Sequence, residues 1–129
     1  MTTPTGDIIS RARYVSLVTY RRDGSEVATP VWVAACEEKF YVFSESRAGK
    51  VKRLRNNSQV RLAKCDMRGG VLTDWCEAHG TLVDDERTID KAYCALRQKY
   101  GWQMRLADFF SKLTGRYDQR SMLEIKLHA

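Results

Sequence analysis

The residues best suited to chemistry lie between Ser44 and Arg55, in the run Ser-Glu-Ser-Arg-Ala-Gly-Lys-Val-Lys-Arg-Leu-Arg. Val51 and Leu54 are three apart, so the spacing predicts a short helix over Gly49–Arg55 with one apolar face. A helix N-terminus offers unpaired N–H groups and a partial positive charge. Gly49 lets a ligand come close to the backbone, and Lys50 adds a full charge at the same end. These types in this order could cradle a phosphate. The P-loop pattern and the glycine-rich dinucleotide fingerprint are both missing, and a solvated basic helix face would carry the same residues.

Charge points the same way. The formal net charge is +6, and Arg47, Lys50, Lys52, Arg53, Arg55, Arg61 and Lys64 fall within 18 residues that hold no acid. Asp84, Asp85, Glu86 and Asp90 come later, so the basic excess is local and suggests an anionic ligand. Single-stranded nucleic acid would also need aromatic platforms interleaved with the basic residues, so no nucleic-acid partner is expected.

The usual catalytic sets are missing: there is no G-x-S-x-G and no H-E-x-x-H. Asp84 and Asp85 stand where a helix cap is expected. Cys36, Cys65, Cys76 and Cys94 include no C-x-x-C pair, so no metal site is expected, and four free thiols are. Lys64 could lower the pKa of Cys65, although a structural thiol suits that position better. His79 lies in an alternating segment and reads as a strand side chain. A protein without its own acid, base or nucleophile would need a cofactor for the chemistry.

The elements that must position these residues are mostly strands. Tyr14–Tyr20, Val27–Ala35, Phe40–Ser44, Gln59–Asp66, Trp75–Val83 and Ser121–Leu127 are rich in β-branched and aromatic residues or alternate. Asp23-Gly24 marks a hairpin, and Pro30 calls for an edge or a bulge in the second strand. Helices are expected over Ile8–Ala12, with Asp7 as N-cap, over Glu86–Tyr100, stopped by Gly101, and over Leu106–Leu113. The fold class is mostly β with α: a six-stranded antiparallel, Greek-key-type barrel with short helices, forming one domain over residues 1–129. The polar N-terminus lacks a signal-peptide layout and no stretch is long and apolar enough to span a bilayer. A cytoplasmic protein with no membrane partner is expected.

Several runs resemble the split-barrel flavin- and deazaflavin-binding proteins of the pyridoxamine-5′-phosphate-oxidase-like family. They are Tyr14–Val33, Gly49–Asn56, Val60–Asp66, Trp75–Asp85, Lys99-Tyr-Gly101 and the closing strand, which together cover nearly the whole chain in order. The resemblance implies a homodimer with a cofactor between subunits. Arg47, Gly49 and Lys50 would meet its phosphate, with the Ser44 hydroxyl nearby. Thr29, Pro30, Val31 and Trp32 would lie along its ring, and Trp75 would approach from the fifth strand, from the same subunit or across the dimer. Thr29 and Ala34 stand where pyridoxamine oxidases carry basic residues, and Gly49 where they carry an arginine. This turns the expectation toward coenzyme F-420 (8-hydroxy-5-deazaflavin) and hydride transfer to a small organic acceptor. Flavin mononucleotide (FMN), or a non-enzymatic cofactor carrier, is the alternative.

Overall fold

The computed structural model describes residues 4–45, 48–115 and 120–128. Seven strands form one antiparallel sheet: β1 (Tyr14–Tyr20), β2 (Glu26–Val31), β3 (Ala34–Cys36), β4 (Lys39–Glu45), β5 (Gln59–Cys65), β6 (Cys76–Val83) and β7 (Arg120–Leu127). Their order is β2-β1-β5-β6-β7-β4-β3. The two ends of the sheet are therefore consecutive in the chain, and the sheet curls into a split barrel. The helices are α1 (Pro4–Arg11), α2 (Gly49–Asn56), α3 (Glu86–Tyr100) and α4 (Trp102–Leu113). None of them is long and apolar enough to cross a membrane.

The β1–β2 turn forms as Asp23-Gly24 indicates. Gly24 takes a φ of 88° and its N–H donates to the Arg21 carbonyl at 2.9 Å, in the left-handed region glycine occupies without a Cβ penalty. β2 is an edge strand, as Pro30 requires, and Pro30 sits in regular register opposite Ser16.

Among the described residues there are seven strands rather than six, because Val27–Ala35 does not run through. The chain leaves the ladder at Trp32 and Val33, where α3 takes over the backbone hydrogen bonds. The Val33 N–H donates to the Tyr100 hydroxyl at 2.9 Å, and that hydroxyl lies 2.8 Å from the Arg13 carbonyl. Lys99 Nζ donates to the Ala12 and Val33 carbonyls, both at 2.6 Å. The Trp32 ring stacks on Tyr100 with centroids 4.6 Å apart. Buried backbone groups need partners, and here one tyrosine and one lysine supply them at the corner between β2 and β3.

The cores lie on the two faces of the sheet. Inside the barrel, Val15, Leu17, Val31, Val42, Leu62 and Ile125 pack with Val51 and Leu54 of α2 and Ile9 of α1. Outside, Ala92, Tyr93, Leu96 and Tyr100 of α3 cover Ala34, Tyr41 and Met122. α3 spans the predicted residues. Asp85 caps it, accepting from the Thr88 N–H at 3.3 Å and the Thr88 hydroxyl at 2.7 Å. α1 begins at Pro4, earlier than expected, so Asp7 lies in its first turn instead of at the cap; proline is well suited to a first turn. α4 begins at Trp102, directly after Gly101, whose φ of 57° turns the chain between the two helices.

Lys99 gives the clasp a pH dependence. Burial, and then the Arg13 guanidinium, pull its ammonium from 10.5 down to about 8. The folded state holds this proton less tightly than the unfolded chain. Between about pH 8 and 10.5 the unfolded chain therefore binds more protons, and stability rises with pH across that window. The urea midpoint of the native protein, measured against Lys99→Met, should climb over this range. Two parallel curves would show that Lys99 titrates as a solvent-exposed lysine.

Candidate cofactor site at the start of α2

α2 is held over the barrel interior by Val51 and Leu54, both buried. Leu54 comes close because position 80 is glycine: a Cβ there would lie 3.2 Å from Leu54 Cδ2 and 3.3 Å from Val60 Cγ1. The Gly80 N–H donates to the Ser58 carbonyl at 2.7 Å, tying the far end of α2 to β6. At the near end the N-cap is Ala48, which has no polar side-chain atom. The Val51 N–H donates to the Ala48 carbonyl at 3.1 Å, and among the described residues the Gly49 and Lys50 N–H groups are left for another partner.

Arg53 turns back along the helix toward that end. Its Nε donates to Thr19 Oγ1 at 2.6 Å, and Thr19 is fully buried on β1. Its Nη1 lies 2.6 Å from where a Cβ on Gly49 would be. Gly49 thus makes room for a guanidinium beside the helix start, one turn from Arg53. Lys50, half-buried, lies next to it. Burial lowers the pKa of Lys50, Arg53 lowers it further, and Glu45 opposes both. Burial likewise lowers Arg53, followed by Arg21. Lys50, Arg53 and Arg21 therefore form a row of cations close enough to disfavour one another's charge. An anion placed among them would reverse that effect.

The residues expected around a cofactor divide between the faces of the sheet. Cross-strand partners share a face, so Thr29 and Val31, opposite Leu17 and Val15, lie on the interior side with α2. Ser44 alternates with the core residues Phe40 and Val42, and it too is interior and buried. Pro30 lies on the opposite face. Trp75 is on that side as well, just before β6, with the Arg61 guanidinium 5.0 Å over its ring. Arg61 in turn pairs with Glu26 at 2.5 Å. Trp32 belongs to the core under α3. Arg47 lies outside the described residues. The structure thus gathers Thr29, Val31, Ser44, Gly49 and Lys50 on one side and sets Pro30, Trp32 and Trp75 apart from them.

Sequence reasoning counted Arg53 only as part of a basic run and passed over Thr19. The i, i+4 spacing of Gly49 and Arg53 was the available signal. Burial, and then Asp66, push the Cys65 thiol up, so Lys64 does not activate it. The four cysteines are free thiols, and His79 is exposed on β6.

No family model and no curated protein matches the sequence, but solved structures do. An FAD-binding protein from Mesorhizobium loti is similar at 16% identity, covering 97% of this chain and 88% of that one, with a TM-score of 0.66. An F420 reductase is similar at 18% identity, over 100% and 97%, with a TM-score of 0.58. HutZ, the heme storage protein of Vibrio cholerae, is similar at 12% identity, over 95% and 87%, with a TM-score of 0.68. At these identities what is shared is the fold, and the three names carry three different ligands. The curled antiparallel sheet, with its two edge strands joined at one corner, is a split β-barrel, the fold this chain shares with these solved structures.

Proposed function

We propose that the protein binds a flavin-type cofactor through its phosphate at the start of α2 and acts as an oxidoreductase on a small organic molecule. The observation that carries this reading is the arrangement of Gly49, Lys50 and Arg53. Two cations are held together on a half-buried surface beside free helix N–H groups, and burial penalises the charge of each. A phosphate would offset both penalties through charge-assisted hydrogen bonds. Thr29 and Ser44 bring hydroxyls to the same face, and Val31 brings apolar surface. The bound ring would supply the hydride chemistry. The chain's own part is to neutralise the phosphate and orient the ring. A second copy of the chain completes the groove in this reading, since β2 is an edge strand with Ala28 and Pro30 exposed.

FMN is the first cofactor to test. The F-420 deazaflavin is a second reading, favoured by the continuation of the cation row from Arg53 to Arg21. A cleft there is lined by Tyr20, Arg21, Arg22, Asn56 and Asn57, and it suits the carboxylates of an anionic tail.

Protein purified from its own host should absorb at about 450 nm if it carries a flavin and at about 420 nm if it carries the deazaflavin. A haem band instead would support storage over catalysis. The Lys50→Ala variant should keep its fold and bind the cofactor roughly tenfold more weakly, the lower end for one charge-assisted contact. Calorimetric titration showing unchanged affinity for both cofactors would take Lys50 out of the site.

A further inference from the structure

Helix α4 carries an apolar surface that the barrel does not use. Its inner side holds Met104 and Asp108, both buried. Trp102, Leu106, Phe109, Phe110 and Leu113 face outward, each with between 45% and 70% of its surface exposed. At helical pitch these five fall within an arc of about 100°, the width of a core-facing stripe. Phe109 and Phe110 pack edge-to-face on each other at 5.6 Å. Arg105 and Lys112, both exposed, lie together along one flank of the stripe. The acid of α4, Asp108, is turned inward to Arg97 and Arg120.

We propose that α4 docks the protein onto an anionic lipid surface. The stripe would rest at the boundary between headgroups and acyl chains, with Arg105 and Lys112 against lipid phosphates. Charge decides between this and a second copy of the chain. In a two-fold pair of antiparallel helices each flank meets its own counterpart. Arg105 and Lys112 would then face Arg105 and Lys112 and repel. An anionic bilayer meets the same flank with opposite charge, and each cation near such a surface strengthens attachment. An outward apolar face rich in Trp, Phe and Leu beside a basic flank is the pattern of a helix lying in a membrane interface. Trp102 stands at one end of the stripe, and its ring suits the polar boundary. The +6 net charge acts in the same direction. The proposal departs from the expectation of no membrane partner, and surface attachment requires no spanning helix.

The test is co-sedimentation of the full chain with vesicles of phosphatidylcholine alone and of phosphatidylcholine with about one third phosphatidylglycerol. Binding is expected to the anionic vesicles only, weakening as salt rises. Phe109→Ser/Phe110→Ser and, separately, Arg105→Glu/Lys112→Glu should each reduce it by about tenfold or more. All four positions are exposed, so both variants should melt like the native protein. Vesicles should shift the tryptophan emission to the blue, and Trp102→Phe should remove the shift. Native protein that stays in the supernatant with both vesicle types would overturn the proposal. So would equal binding to neutral vesicles. A native dimer that becomes monomeric in Phe109→Ser/Phe110→Ser would assign the stripe to a second copy instead.

Discussion

An Asp108→Ala protein is expected to lose about 3–5 kcal/mol of stability, the range for removing one partner of a buried ion pair. Asp108 accepts from Arg120 Nη1 at 2.7 Å and from Arg97 Nε at 3.0 Å. The Arg120 side chain is 5% exposed. It also donates to the Ala107 carbonyl and to Ser111 Oγ, and its guanidinium lies 4.5 Å over the Phe43 ring. Asp108 thus accepts from two guanidinium groups and joins α3, α4 and β7. Without it, Arg120 loses this carboxylate at a position that water cannot reach well. Asp108→Asn should cost less, because the amide oxygen still accepts one hydrogen bond. Urea unfolding followed by circular dichroism reads the difference. A loss below about 1 kcal/mol, the level of exposed pairs, would mean that α4 is held by its apolar contacts alone.

Arg53→Ala is expected to weaken cofactor binding by roughly 10- to 100-fold, more than Lys50→Ala, where tenfold corresponds to about 1.4 kcal/mol. The two cations differ in how they are held. Thr19 fixes Arg53 Nε at 2.6 Å and Gly49 leaves space for Nη1, so the guanidinium is set before a ligand arrives. Lys50 has a flexible stem and must be ordered on binding, which reduces its net contribution. Arg53→Lys should restore little, because an ammonium cannot keep the Thr19 bond and present a planar donor pair together. Thr19→Val should fall in between. Quenching of flavin fluorescence on titration measures all four proteins. An Arg53→Ala protein that binds FMN as the native one does would move the phosphate away from α2.

What could be read ahead of the structure was local. The hairpin at Asp23-Gly24, the edge strand at Pro30, the span of α3 and the helix at Gly49 follow from turn chemistry, proline's missing N–H and apolar spacing. What was not legible depends on distant partners. Val27–Ala35 is made of strand formers, and its break comes from Tyr100, 67 residues away. Arg53 looks like any other surface cation until Thr19, 34 residues away, is seen to hold it. Trp32 and Trp75 are aromatic residues at plausible positions, but residues of one run alternate between faces. Within one subunit, the register places Pro30, and the Arg61 contact places Trp75, across the sheet from Lys50. The early start of α1 is a different case, because Pro4 was itself a helix-start signal.

The corner at Trp32 and Val33 bears on how this protein avoids aggregation. An open sheet exposes two edges, and either can template a strand from another chain. Here both edges belong to adjacent strands separated by two residues, so the hazard sits at one place on the molecule. That place is guarded in several ways. β3 is three residues long, and β2 carries Pro30, which cannot donate to an incoming strand. The turn after β3 runs through Glu37 and Glu38, both with positive φ, a conformation an extended strand cannot match. Tyr100 occupies the Val33 N–H, which would otherwise be the first donor offered to a newcomer. Tyr100→Phe would free that group, and the slow gain of thioflavin fluorescence in concentrated solutions would show whether the corner had opened to self-addition.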